Sequence, residues 1–419
     1  MKYIMNSIPA HELRRDIPGR FNEIDVIRRE WLRFLAVLEG QIVPPYEVLV
    51  HPSSTCNLRC EWCIGDYVPI EEAATGRVLD AAKTCGERLP DTLAQPAKMR
   101  RLIEGILAYR ERVTVMAEDG PVETELGIDA VSFSGLIGEP LLSRRAVLEA
   151  IAMLRAAGVR TGLYTNGIAM DAEVREALLG IDYVHISVDA GTPETFARVK
   201  CGGSRRGPAL FERMMENIAA LAALRARTPG AAVAINASYV VTAVSYEELY
   251  EAARRLRDAG VDSLRVKQDN AERLRLDARQ RAETHAAFDR IEAELAGPSF
   301  RLVRIHAIDD VPYARYFSTC TITELMAAAG SDGHLYPCNY HPRPNGASYG
   351  SAVERPFEEI WKGGARRTLR EQLPAICPSQ CDPFKTRANT LLADLRGEGA
   401  RAGLAGMTAR RDALLAQFA

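Results

Sequence analysis

Three cysteines fall within eight residues, Cys56, Cys60 and Cys63 in the stretch STCNLRCEWCIG. Thiolates at CxxxCxxC spacing in one loop suit an iron–sulfur cluster. A four-iron cubane is saturated by four protein thiolates, so three leave one iron open to a substrate or cosubstrate. A cluster that does chemistry as well as carrying electrons needs that open position. A structural zinc site wants four closed ligands, and no fourth Cys or His lies nearby except His51. A second group comes late. Cys320, Gly333 and Cys338 form a Cys-x12-Gly-x4-Cys arrangement, and Cys377 and Cys381 follow as Cys-x3-Cys. Gly333 lies in SDGH, a hairpin-turn signal that returns Cys338 beside Cys320. Four thiolates from two loops close either a [4Fe–4S] cluster or a zinc site, and spacing alone does not choose.

The elements that position these residues have a clear rhythm. Six short apolar or β-branched runs, 46–52, 130–135, 159–167, 183–191, 233–242 and 263–268, are bounded by Gly, Pro, Asn or Asp. Between them lie stretches with apolar residues three and four apart, such as AVLEAIAMLRAAG and LYEAARRLRDAG, each ending in Gly. Strands alternating with helices predict βαβ units and a parallel sheet, open or curled into a barrel. Chemistry in such folds gathers at the C-terminal strand ends. That rim takes in Cys56–Cys63, Gly138–Pro140, Thr165–Gly167, Ser187–Asp189 and Lys267–Gln268.

Three stretches break the rhythm. Residues 1–45 read as helical, with Phe21, Ile24, Ile27, Trp31, Phe34 and Leu38 at helical spacing, a docking helix over one barrel end. Residues 64–128 exceed one βα connection and read as two extra helices with a polar loop near AEDGPVETE. From about 310 Cys-, Gly- and Pro-rich loops take over, with a helix near 355–372 between the two cysteine pairs, and the chain after 387 reads as helical again. The expected division is 1–45, 46–300, 301–386 and 387–419.

With 419 residues, 47% hydrophobic and 26% charged, the chain has the composition of a soluble globular protein. A net charge of −2 gives no field that favours nucleic acid or an anionic membrane. No apolar run approaches the roughly 18 residues that span a bilayer. MKYIMNSIPAHELRRD lacks the apolar core of a signal peptide, so a cytoplasmic location is expected. In that reducing setting nine cysteines point to metal or redox duty.

On these residues the chain resembles the radical S-adenosylmethionine (SAM) superfamily over about 46–290. The resemblance implies a partial (β/α)6 barrel with CNLRCEWC after its first strand, followed by a small Cys-rich α+β domain. Trp62 matches the aromatic beside the adenine. Gly138, Glu139 and Pro140 are similar to the stretch that binds the methionyl amino group, here preceded by Ile137 where many members have Gly. Thr165 and Asn166 of TNG, and Ser187 and Asp189 of SVD, resemble the groups that hold ribose and carboxylate, with Arg198 as the carboxylate's basic partner. The implied chemistry is reductive cleavage of SAM to a 5′-deoxyadenosyl radical that abstracts hydrogen from a substrate. The late cysteines resemble the twitch module, the shortened relative of the SPASM domain, which implies one auxiliary [4Fe–4S] cluster, two clusters in all. Such a chemistry needs an electron donor such as flavodoxin or ferredoxin.

Cys201, beginning CGGSRRG near the rim, is a candidate hydrogen-atom donor for net epimerisation or simply a small residue in a turn. Cys85 reads as packing, and His334 and His341 as structural groups flanking the auxiliary module. Asp66, Tyr67, Lys267 and Gln268 are candidates for substrate contact. The expected substrate is a small polar molecule, a sugar, aminocyclitol or natural-product intermediate, that is oxidised or epimerised. The alternative is a peptide maturase, against which the 45 N-terminal residues are too few for a leader-gripping winged-helix domain. A non-catalytic cluster or zinc protein is a third reading, opposed by the CNLRCEWC and GEP stretches.

Overall fold

The computed structural model describes residues 26, 29–63, 67–72, 77–83, 89–117, 120–134, 138–269, 274–304, 317, 319–342, 346–373, 375–377, 381, 385, 388–389, 392–393 and 395–397, without side chains at 67–83. Asp66, Cys85, Ile137, Phe21, Ile24 and Ile27 lie outside the described residues, as does the side chain of Tyr67.

In chain order the strands are β1 (Glu47–Val50), β2 (Tyr67–Glu72), β3 (Arg77–Lys83), β4 (Arg110–Ala117), β5 (Gly120–Gly127), β6 (Ala130–Phe133) and β7 (Arg160–Thr165). There follow β8 (Tyr183–Ser187), β9 (Ala234–Val241), β10 (Ser263–Gln268), β11 (Arg301–Arg304), β12 (Met326–Ala329), β13 (His334–Tyr336) and β14 (Gly350–Ser351). The main sheet has the order β11-β10-β9-β8-β7-β6-β1-β12-β13-β14. The strands from β11 through β12 in that order pair in parallel, and β13 and β14 close one edge antiparallel. All six predicted strands are present in the predicted order, in a mixed α/β fold. Two more join them. β12, Met-Ala-Ala-Ala, gives no strand signal because alanine favours helix, and its register partners in β1 lie 279 residues earlier (Glu47 opposite Met326), so only long-range pairing makes it a strand.

The two faces of the parallel sheet differ in chemistry. Outward side chains, among them Val131, Phe133, Leu163, Val184, Ile186, Ile235, Leu264 and Val266, share one core with Val147, Ile151, Phe211 and Leu256 of the flanking helices. Each fully buried aliphatic contributes roughly 1.5–3 kcal/mol, so this outer layer holds the fold together and leaves the inner face free to be polar. The helices Arg144–Ala156 and Leu249–Asp258 supply those faces, and Gly158 and Gly260 follow them in left-handed conformation, as the sequence pattern predicted. On the inner side of β1 and β12, Leu49, Met326 and Ala328 join a second core with Trp31, Phe34 and Leu35 of the helix Trp31–Leu38. Leu392 and Leu395 from the helical residues near the C-terminus belong to the same core.

The stretch 64–128 corrects the expectation of two extra helices. Among its described residues it holds one α-helix, Pro96–Ala108, flanked by the hairpins β2–β3 and β4–β5. The period-two signal is visible in RVTVMA, where Val113 and Val115 are buried between exposed neighbours and join the second core.

Candidate active site

The loop 51–63 that carries Cys56, Cys60 and Cys63 is tied down from four sides. Its first leg is gripped by Asp91. That carboxylate accepts from Ser54 N at 2.6 Å and from the hydroxyls of Ser54, Thr55 and Ser53 at 2.8, 2.9 and 3.1 Å. Partial burial raises the Asp91 pKa, but these four bonds outweigh it and hold the carboxyl below its ordinary value. The last leg is pinned by Arg59 N and Glu61 N, which donate to Lys200 O and Val199 O at 2.8 and 3.0 Å.

The GEP segment forms the third tie. Glu139 N donates to Thr55 O at 2.9 Å, and Gly138 lies so close that a Cβ there would stand 2.1 Å from Ser53 O. Only glycine permits that approach. The Glu139 side chain turns to the next strand end. Its carboxylate accepts from Thr165 Oγ1 at 2.6 Å, Asn166 N at 2.8 Å and Leu141 N at 3.1 Å. Burial pushes its pKa up, against those three donors. Pro140, buried, opens the short helical turn that follows. The fourth tie is Asn166, whose Nδ2 donates to Asn57 Oδ1 at 2.6 Å inside the cysteine loop. GEP and TNG, predicted as holders of a cosubstrate, thus also brace the cysteine loop and one another.

On the far side stands a buried ion pair. Asp189, the one described non-glycine residue with positive φ (61°), accepts from Lys200 Nζ at 2.6 Å and from Val240 N at 2.7 Å. Lys200 Nζ also donates to Ser187 O at 2.5 Å, and its side chain is only 1% exposed. Burial works against its charge, but Asp189 raises its pKa, so Lys200 is a fixed cation behind the loop. Arg198, the predicted basic partner, is exposed. Lys200 was missed because both lie on the helix Pro193–Cys201 and only packing shows which of them faces the loop.

The thiols fit a thiolate-binding group. Burial pushes Cys56 up to about 11, and Leu58 N at 3.5 Å from its sulfur partly offsets this. Cys60 is raised further by burial, with Lys200 opposing and Asp189, Cys63 and Cys56 reinforcing. Buried sulfurs that favour the neutral thiol, beside a cation and a donated N–H, are poor partners for water and good ones for an electrophilic metal group. Trp62 packs with Val199, Val240 and Cys60. Cys201 lies in the outer core, with its pKa raised by burial and lowered in part by Lys200.

The second group also converges. Burial raises the pKa of Cys320, and Cys338, Cys381 and Cys377 are close enough to add to that rise. Asn389 Nδ2 donates to Cys320 Sγ at 3.4 Å, Tyr340 N to Cys338 Sγ at 3.5 Å, and His341 Nε2 lies 3.4 Å from Cys377 Sγ. The hairpin predicted at SDGH is β12–β13, with Gly333 at φ 83°. The helices Phe357–Trp361 and Gly364–Gln372 separate the pairs where one was expected. Asn389 had no sequence signal, being separated from Cys320 by 69 residues.

Residues 50–236 match the family model described as "Radical SAM superfamily". The chain is similar in fold to Streptococcus suis SuiB bound to the precursor peptide SuiA, at TM-score 0.51 and 17% identity, covering 89% of this chain and 78% of that one. It is similar also to SuiB bound to S-adenosylmethionine, at TM-score 0.50 and 17% identity, covering 84% and 71%. A comparison with curated protein sequences gives no match. Among the described residues no helix is long and apolar enough to cross a membrane.

Proposed function

We propose that this chain, which belongs to the radical SAM superfamily through residues 50–236, oxidises or epimerises a small polar molecule such as a sugar, aminocyclitol or natural-product intermediate. The observation that carries the reading is the bracing of Cys56, Cys60 and Cys63 by Asp91, Glu139, Asn166 and the 199–200 backbone above a polar inner sheet face. Cys56, Cys60 and Cys63 would hold a [4Fe–4S] cluster. Bound there, that group would supply the electron that cleaves the C5′–S bond of SAM to methionine and a 5′-deoxyadenosyl radical, which would remove hydrogen from substrate.

The chain's own residues then have separable duties. Trp62 offers an aromatic face beside Cys60 for the adenine. Backbone carbonyls of the GEP stretch take the methionyl amino group, while the Glu139 carboxylate keeps Thr165 and Asn166 in place. Ser187 and Asn166 stand at successive strand ends for the ribose. Lys200, held by Asp189, is better placed than Arg198 to face the carboxylate.

Cys320, Cys338, Cys377 and Cys381 would hold a second [4Fe–4S] cluster in a twitch-like module, and the donated N–H groups on Cys320 and Cys338 support that. With no open iron, it would pass electrons, taking one from a substrate radical in a net oxidation. An exchangeable donor such as flavodoxin or ferredoxin would supply the reducing electron, consistent with a cytoplasmic setting. A peptide substrate is the second reading, since SuiB was solved with a precursor peptide.

Anaerobic reconstitution tests the whole reading. Roughly eight irons per chain and 5′-deoxyadenosine formed on reduction with SAM are expected. Zinc with little iron, or no 5′-deoxyadenosine, would overturn it. A Cys320→Ser/Cys338→Ser variant separates the two groups, keeping about four irons.

A further inference from the structure

The helical residues after the last cysteine turn back onto the second thiol group and meet it at two points. Lys385, Asn389 and Leu392 are four and three positions apart, so they share one helix side. Leu392 is fully buried in the second core. Lys385, 2% exposed, donates from Nζ to Oδ1 of Asn339, the neighbour of Cys338. Asn389, fully buried, donates from Nδ2 to Cys320 Sγ at 3.4 Å. One short stretch of helix thus grips the legs that carry both cysteines of the β12–β13 hairpin.

The Asn389 amide has one orientation open to it. Ile322 N, which can only donate, lies 2.9 Å from Asn389 Oδ1. The carbonyl end is therefore fixed on the short helix that follows Cys320 (Ile322–Leu325), and the NH2 end is left for the sulfur. That donation opposes the rise that burial gives the Cys320 pKa. Cys338 receives an N–H as well, from Tyr340 N at 3.5 Å. A backbone donor comes with the turn whatever the side chain, whereas the bond to Cys320 exists only because residue 389 is an amide. A hydrogen bond to a cysteine sulfur draws electron density from it and favours the form of an iron–sulfur cluster that holds the extra electron. Such a bond raises the cluster's reduction potential.

We propose that Asn389 acts through Cys320 as a positioning residue that raises the reduction potential of the cluster held by Cys320, Cys338, Cys377 and Cys381. The proposal rests on the second-cluster reading above and narrows it, because a raised potential favours accepting an electron over donating one. Net oxidation of an alcohol needs that direction. A substrate radical that has already lost a hydrogen atom would give one electron to the cluster and its hydroxyl proton to solvent, leaving a carbonyl. Epimerisation, in which the radical regains a hydrogen atom, needs no such acceptor. Leu392 supplies the comparison within the same helix side, since it packs into the apolar core and has no hydrogen to donate.

The full chain carrying Cys56→Ser/Cys60→Ser/Cys63→Ser, reconstituted with iron and sulfide, isolates the second group. Its midpoint potential is read from the paramagnetic resonance of the reduced state in a poised redox titration. In that background Asn389→Leu is expected to cut the reduced-to-oxidised ratio at a fixed potential about tenfold, a fall of about 59 mV for one electron. Asn389→Asp keeps an acceptor for Ile322 N, loses the donor and adds a negative charge, so it should lower the midpoint further. It carries the test if Asn389→Leu does not retain iron. Leu392→Ala should unfold earlier on heating and leave the midpoint where it was. An unchanged or raised midpoint in the Asn389 variants, or an equal fall in Leu392→Ala, would overturn the proposal. Loss of iron from both Asn389 variants would make Asn389 a support of the site and not of its potential, and would overturn it too. Zinc or no iron in the triple-serine parent would instead overturn the second-cluster reading, and the proposal with it.

Discussion

Lys200→Met is the most informative perturbation, because it removes one partner of an ion pair whose side chains are 1% and 3% exposed. A surface pair contributes at most about 1 kcal/mol, whereas stripping one charge from a buried pair costs about 3–5 kcal/mol, since the survivor stays desolvated. Asp189 keeps one bond, from Val240 N, and can take up a proton, so the lower end applies, about 3 kcal/mol. The bond to Ser187 O is also lost, adding about 1 kcal/mol. Because Asp189 raises the Lys200 pKa, the contribution is complete below the ordinary lysine value of about 10.4 and fades only as pH rises through the folded-state value. Denaturant unfolding of the metal-free protein near neutral pH therefore reads all of it. The expected loss is about 3–4 kcal/mol for Lys200→Met, with at least half recovered in Asp189→Asn/Lys200→Met, where no charge is left buried. A single variant within about 1 kcal/mol of the parent, or strictly additive variants, would refute the argument. Iron loading should fall with stability, since Lys200 O and Val199 O anchor the cysteine loop.

Other outcomes follow from single contacts. Gly138→Ala would drive a Cβ to within 2.1 Å of Ser53 O, so the backbone must move; a stability loss of about 1–3 kcal/mol and a severalfold fall in 5′-deoxyadenosine formation are expected by urea titration and chromatography. Cys201→Ala removes a thiol from the outer core, not the inner face, so an unchanged product distribution in deuterated solvent is expected. A product switched from epimer to oxidised or stalled forms would reinstate Cys201 as a hydrogen donor. His334 has its pKa raised by the hydrogen bond its ring Nδ1–H donates to Asp332, so its contribution is full below about 6.5 and lost as pH rises through the folded-state value. His334→Gln should therefore flatten the pH dependence of thermal unfolding over that range.

The six parallel strands and both cysteine groups were legible because their signals are local, β-branched runs closed by turn residues and thiols at fixed spacing. The stretch 64–128 was read as two extra helices with a polar loop near AEDGPVETE, because β5 (Gly120–Gly127) alternates exposed with half-buried residues that are mostly polar, and the fully buried apolar pair of the 110–127 hairpin is Val113 and Val115 alone. β12 was hidden by its alanines and by the distance to β1.

The residues missed at the site share one property, that their role depends on which way a side chain points after folding. Asp91 sits in an insertion with no motif, yet it accepts four bonds from the leg before Cys56. Arg198 and Lys200 are equally basic and two residues apart on one helix, so they face different sides, and only the inward one can act on the loop. Glu139 shows the same limit from the other direction. Its place in GEP suggested a cosubstrate ligand, but the side chain reaches Thr165 and Asn166, two residues that the same reading had assigned to the cosubstrate. A motif at strand ends can thus contain groups that bind and groups that hold the binders still, and residue type does not separate them. The inner sheet face extends the point, because Arg265, His185 and Asn236 carry no motif and come together only when three parallel strands are placed in register.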